Sequence, residues 1–209
     1  MIKLAALFVQ DGGCYFDHPL IDPWPITRDA RNYAGPYPVI AHPPCQLWGA
    51  LAFVNYMRWG GEHNRPGNDG GCFASAIRAV NTYGGVVEHP AKSRAFCAYG
   101  IPKPEGEGWK RVGLHEWVCE VWQSAYGHKA NKATWLYYVG RTPPAELLWD
   151  RVRGRYQIGC ENRQGFNRNN KPTLSKREAN ATPVKFRDVL INLAVNSNYV
   201  SDSLMPGEE

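Results

Sequence analysis

The stretch Cys72-Phe73-Ala74-Ser75-Ala76-Ile77-Arg78-Ala79-Val80-Asn81-Thr82-Tyr83-Gly84-Gly85-Val86-Val87-Glu88-His89-Pro90 decides the fold. Phe73, Ile77 and Val80 recur at i, i+4 and i+7, the spacing of one helical face. Gly84-Gly85 ends that helix, because glycine takes the left-handed conformation that closes a last turn. Val86-Val87 then starts a buried strand that delivers Glu88-His89-Pro90. Upstream, Val39-Ile40-Ala41 reads as the end of another buried strand, stopped by Pro43-Pro44, since neither proline can donate to a sheet ladder. A helix between two buried strands is a βαβ unit, and such units build parallel sheets. The expectation is an α/β fold, a mostly parallel sheet flanked by helices. Ligands on such sheets sit beyond the carboxyl ends of the strands, and Cys45 and Glu88 both fall just past expected strand ends.

Working outward, Lys3 to Val9 reads as a first buried strand closed by the turn Asp11-Gly12-Gly13. Five prolines between residues 17 and 38 limit that region to short pieces, with one helical turn at Ile26 to Arg31. Residues 101–113 read as a loop, and Trp117 to Gln123 and Thr134 to Val139 as two further strands. Residues 140–181 show no clear periodicity. A last helix is expected with Thr182 as its cap, Pro183 in its first turn, and Phe186, Val189, Leu190 and Leu193 as its buried stripe. The organisation expected is one α/β domain over residues 1–195, an irregular basic insert at about 140–181, and a frayed tail at 196–209.

The chain has 209 residues, enough for one sizeable core. Net charge is +5 and the pI about 8.9, which permits an anionic partner without requiring one. The basic excess is concentrated between Arg151 and Arg187, where Glu161 and Glu178 are the only acids. That segment reads equally as a solvated face or as a surface for backbone phosphates. Eight Trp and 11 Tyr suit a core and also suit stacking on bases. No apolar run approaches the roughly 20 residues of a membrane span, and no signal peptide is visible. The expected location is cytoplasmic, where thiols stay reduced. No C-x-x-C pair exists among the six cysteines, which removes the strongest zinc signature; no metal is expected, with a scattered site of His42, His89, His115 or His128 and a cysteine as the alternative.

Two residue types carry chemistry. Cys45 follows two prolines, which stiffen its loop; a thiol so held is a positioned nucleophile if His42 or a following helix N-terminus lowers its pKa. Glu88 follows two buried valines, where burial raises a carboxyl pKa. Protonated, it donates to a ring nitrogen; ionised, it accepts from an exocyclic amine.

Pro43-Pro44-Cys45-Gln46 resembles the catalytic-loop motif of DNA cytosine-5 methyltransferases. Glu88-His89-Pro90, one helix later, resembles their Glu-Asn-Val or Glu-Asn-Pro motif. The run Gln123 to Trp135 is similar to a Tyr-Gly … Lys-x-Thr segment in small methylase-like proteins of bacteriophages. The resemblance spans about residues 38–139. It implies a Rossmann-like methyltransferase fold and a DNA or pyrimidine-nucleotide partner in a host cytoplasm. It also implies attack of Cys45 on C6 of a pyrimidine, with Glu88 contacting ring N3 and C5 taking a methyl group from S-adenosylmethionine. The base is then flipped out or single-stranded. Carried over by position, Phe8, Asp11, Gly12, Gly13, Asp22 and Pro43 hold the cofactor, with Asp29 an alternative to Asp22. Pro44, Gln46, His89, Pro90, Lys129, Lys132 and Thr134 hold the substrate.

The chain departs from the family pattern in three places. Leu7 to Cys14 replaces the Phe-x-Gly-x-Gly loop, the Gln-x-Arg-x-Arg motif is absent, and His89 stands where the family has Asn. Two alternatives stay open: a same-fold enzyme acting on a nucleotide or base without S-adenosylmethionine, and a non-catalytic nucleic-acid binder.

Overall fold

A computed structural model describes residues 3–158 and 171–198. The strands are β1 (Leu4–Val9), β2 (Ile21–Pro25), β3 (Val39–Ala41), β4 (Gly85–Pro90), β5 (Lys110–Arg111), β6 (Glu116–Trp122) and β7 (Ala133–Val139). The helices are α1 (Ala52–Trp59), α2 (Cys72–Tyr83), α3 (Arg94–Ala98), α4 (Lys176–Asn180) and α5 (Val184–Val195). The seven strands form one sheet in the order β2-β1-β3-β4-β7-β6-β5.

The sheet is mixed, which corrects the expectation of a mostly parallel one. β2, β1, β3 and β4 pair in parallel, while β4–β7, β7–β6 and β6–β5 are antiparallel. The physical reason is connection length. β6 and β7 are joined by a short segment that reverses the chain, whereas parallel neighbours need a crossover such as α2. The β3–α2–β4 unit is parallel as its periodicity predicts, in the register Val39↔Gly85, Ile40↔Val86, Ala41↔Val87.

The pleat sends alternate side chains to opposite faces. Val39, Ala41 and Val87 pack with Phe73, Ala76 and Val80 of α2 on one face. Leu4, Ala6, Ile40 and Val86 pack with Phe186, Leu190 and Leu193 of α5 on the other. Both helices therefore bury the stripes their spacing predicts, and Phe73 and Phe186 are fully buried. Truncating either to alanine would cost about 3–5 kcal/mol. Gly85 has φ +117°, and a Cβ there would strike the Val39 backbone. The closeness of β3 and β4 at this point thus depends on glycine.

Other expectations shift. β2 forms despite Pro23 and Pro25, because it is an edge strand, where a missing N–H costs no ladder bond on the open side. α1, α3 and α4 were not legible as periodic segments. β5 forms inside the expected loop at 101–113. The last helix has Pro183 as its cap, with no side-chain capping bond, so Thr182 does not take that role. Residues 196–198 are not frayed: Ser197 is fully buried, its carbonyl accepts from the Arg141 amide, and the Asn196 carbonyl accepts from Thr142 Oγ1. The rest of the expected tail lies outside the described residues, as does the middle of the basic insert. No described helix is long and apolar enough to cross a membrane.

Candidate active site

Glu88 is the fourth residue of β4, within the strand rather than past its end. Its pleat position puts it on the α5 face, next to Tyr15 and away from α2. There it is 8% exposed and hydrogen-bonded at both oxygens. His42 Nδ1 lies 2.9 Å from Oε2, and Gln123 Nε2 donates to Oε1 at 3.0 Å. The same Gln123 nitrogen donates to Thr134 Oγ1 at 2.9 Å. On the far side of the imidazole, Tyr15 Oη lies 2.8 Å from His42 Nε2.

Burial holds the Tyr15 phenol well above its ordinary pKa, so it keeps its proton and donates to Nε2. With Nε2 accepting from Tyr15, the His42 proton lies on Nδ1 and is donated to the carboxylate. Tyr15, His42, Glu88, Gln123 and Thr134 thus form one continuous chain across the carboxyl edge of the sheet.

The charge state of Glu88 corrects an expectation. Burial alone would raise its pKa, but the His42 hydrogen bond and the fields of Lys132, His42 and His89 outweigh it, holding the carboxyl at about 2. Glu88 is therefore ionised, a hydrogen-bond acceptor and not an acid.

Cys45 lies in the loop between β3 and α1, partly buried. Its thiol is pushed up from the ordinary range by burial and by the Glu88 charge, while Lys132 pulls it down. The lowered thiol that His42 or a helix N-terminus was expected to produce is not found. His42 turns instead to Tyr15 and Glu88, and α1 begins only at Ala52. Lys132 acts on both Cys45 and Glu88, and Glu88 acts on Cys45, so the three share one electrostatic neighbourhood. The Lys132 ammonium also lies 3.4 Å from the carbonyls of Asn180 and Ala181.

The other sequence-assigned residues divide. Thr134 joins the chain through Gln123. His89 points to the opposite face, fully buried edge-on to Phe73 at 5.1 Å between ring centroids. Burial holds it neutral, with a pKa of about 4, and its ring lies by the Pro44 carbonyl without completing a hydrogen bond. His89 thus backs the Cys45 loop from the sheet face opposite Glu88. Pro43 is buried, while Pro44 and Gln46 are exposed at the rim and Pro90 is partly buried. Lys129 is drawn to α4, where it pairs with Glu178 at 2.9 Å.

The assigned cofactor residues do not assemble. Asp22 sits at the second position of β2, short of its carboxyl end, and its carboxylate is taken by Trp24 Nε1 and Arg28. Asp29 caps its own turn and pairs with Arg31. Phe8 has φ +59° at an irregularity in β1, and its ring packs on the α2-side core. Asp11 and Gly12 stand exposed in the following turn. With no free acid at the end of β2 to meet a ribose, these residues do not fit S-adenosylmethionine. Among the described residues, no three His, Cys, Asp or Glu side chains gather as a metal site.

Sequence reading missed Tyr15 and Gln123 as members of the site and gave His42 a different task. Gln123 lies in the run noted for its resemblance, at the end of an expected strand, and that was its only signal. Tyr15 carries none, since its partner is 27 residues away. No protein-family model, curated protein or solved structure matches the chain.

Proposed function

We propose that this chain modifies a pyrimidine base, cytosine in particular, through reversible addition of Cys45 to C6. What supports the reading is that the loop carrying Cys45 is tied by the 2.9 Å His42–Glu88 bond to an ionised carboxylate on the neighbouring strand, with the Lys132 charge acting on both groups. An ionised Glu88 accepts from the exocyclic N4 amine of cytosine. Its bonds from His42 and Gln123 fix the direction of its free lone pairs. Lys132 offsets the negative charge beside the thiol. In the addition Cys45 gives up its S–H proton, the Sγ–C6 bond forms, the C5=C6 double bond is lost and a proton is taken up at C5, a net addition of S–H across the double bond. Elimination removes a C5 hydrogen as a proton and releases the thiolate.

Methyl transfer to C5 of cytosine in DNA is the outcome implied by the resemblance to DNA cytosine-5 methyltransferases. It accords with the βαβ unit, with Pro43-Pro44-Cys45 in the loop after β3 and Glu88 on the neighbouring strand β4. No step is derived through S-adenosylmethionine, because the residues after β1 and in β2 do not fit it.

The test needs no cofactor. In deuterium oxide the addition and elimination replace the C5 hydrogen of cytosine by deuterium, and NMR reads the loss of that resonance. Exchange is expected with the native chain and not with Cys45→Ser, whose fold is checked by circular dichroism. Equal exchange in the two, or none in either, overturns the reading. A second reading, a binder that retains the scaffold without catalysis, is favoured by one observation: both Glu88 oxygens already have protein partners, and the thiol is raised. It predicts nucleic-acid affinity with no exchange at all.

A further inference from the structure

Between β6 and β7, the 3-10 turn Gln123–Tyr126 presents Gln123 to Glu88. The next residue, Ser124, lines a separate cleft of about 160 Å³ together with His128, Lys129, Arg153, Arg155 and Tyr156. Two of its groups are buried without a partner, Ser124 Oγ and His128 Nε2, in residues only 7% exposed. A buried polar group left unmatched is costly unless a ligand or water completes it. His128 Nδ1 lies 3.0 Å from the Ala130 carbonyl and 3.1 Å from the Ala130 amide, so one tautomer leaves Nε2 a donor and the other leaves it an acceptor. The carbonyls of Glu178 and Ala179 lie near that ring outside hydrogen-bond geometry. Ser124 Oγ has a proton to donate, and His128 Nε2 donates in the tautomer that an anion would select.

Three cations rim the cleft. Lys129 is held by Glu178, and Arg153 and Arg155 are exposed. No carboxylate lines it. A buried hydroxyl and an imidazole beneath two exposed guanidiniums suit an oxyanion, and the guanidinium fork suits a phosphate.

We propose that this cleft holds the phosphate next to the pyrimidine offered to Cys45 and Glu88, so that the substrate is a phosphorylated nucleotide unit and not a free base or nucleoside. This deepens the proposed function and rests on it for the identity of the base, while the anion site stands on its own geometry. The shared chemistry is a phosphate beside a pyrimidine, supplied by a nucleic-acid strand or by a free nucleotide.

The experiment measures binding of a fluorescein-labelled oligodeoxycytidylate eight-mer to the full chain over a salt series, with deoxycytidine monophosphate and deoxycytidine as competitors. Arg153→Ala/Arg155→Ala is expected to weaken the oligomer about tenfold and to flatten the salt dependence. Ser124→Ala is expected to weaken it about fivefold at unchanged charge. Competition by the monophosphate that is lost in Ser124→Ala identifies a nucleotide phosphate, and loss confined to the oligomer identifies the strand. An effect of the arginine pair without one from Ser124→Ala means a plain basic surface and overturns the cleft, as does no effect from either. The base reading is judged separately, by Cys45-dependent C5 exchange on the oligomer itself: binding without exchange overturns that reading alone, and exchange that the cleft variants leave unchanged overturns the cleft alone.

Discussion

His42 Nδ1 stands 2.9 Å from Glu88 Oε2, joining the loop that carries Cys45 to the interior of the neighbouring strand across 46 positions of sequence. The bond does two things. It keeps Glu88 ionised in a buried place, and it ties the Pro43-Pro44-Cys45 loop to the sheet.

Glu88 therefore makes acid stability depend on its charge. Its folded pKa, about 2, lies below the ordinary 4.5, so its contribution is complete above 4.5 and disappears as pH falls toward 2. The size is about 3 kcal/mol. Urea unfolding between pH 6 and 2.5 should show a steep acid limb in the native chain and a shallower one in Glu88→Gln. Identical limbs would count against the His42 bond as its source.

His89 adds a second window at higher pH. Its pKa is held at about 4 by burial, against an ordinary 6.5, so the unfolded chain takes up a proton between these values that the folded chain refuses. Stability should fall by about 3 kcal/mol as pH drops through that range. His89→Leu removes the titration and the two unmatched nitrogens while still filling the space beside Phe73. Its stability from pH 7 to 4.5 should be flatter than that of the native chain by chemical denaturation.

Thiol reactivity should follow the local charges. Cys97 is exposed and should be alkylated by iodoacetamide before Cys45. At pH 8 Glu88→Gln should speed Cys45 alkylation several-fold by removing a negative neighbour, and Lys132→Met should slow it. Peptide mass mapping over time reads both. Equal rates in all three proteins would remove Cys45 from this neighbourhood.

Gly85→Ala should prevent or severely impair folding, by 3 kcal/mol or about that at least, because its Cβ meets the Val39 backbone. Gly12→Ala, where nothing lies within 4 Å of an added Cβ, should cost only about 1 kcal/mol for its positive φ. Thermal melts of the two separate a steric requirement from a conformational one.

Local pattern was enough for much of this protein. The 3.6-residue spacing of Phe73, Ile77 and Val80 and the Gly84-Gly85 stop placed α2 within its observed bounds, and short apolar runs located β1, β3, β4, β6 and β7. These elements are dictated by near neighbours, and a sequence displays near neighbours. The prediction also named Cys45 and Glu88 as a pair, and it did so through topology, since adjacent parallel strands bring their carboxyl ends together. What neighbours along the chain do not contain is which side chains meet across it. The bonds of Tyr15 and Gln123 to the site, the turning of Lys129 to Glu178, and the retirement of His89 to the opposite face all follow from pleat parity and packing. The protonation states follow from the same source, because burial and opposing charges compete at distances that exist only after folding. Residue types along the chain thus determined the elements and the chemical candidates. The tertiary structure alone decided that the carboxyl is ionised, that the thiol is raised, and which groups stand beside them.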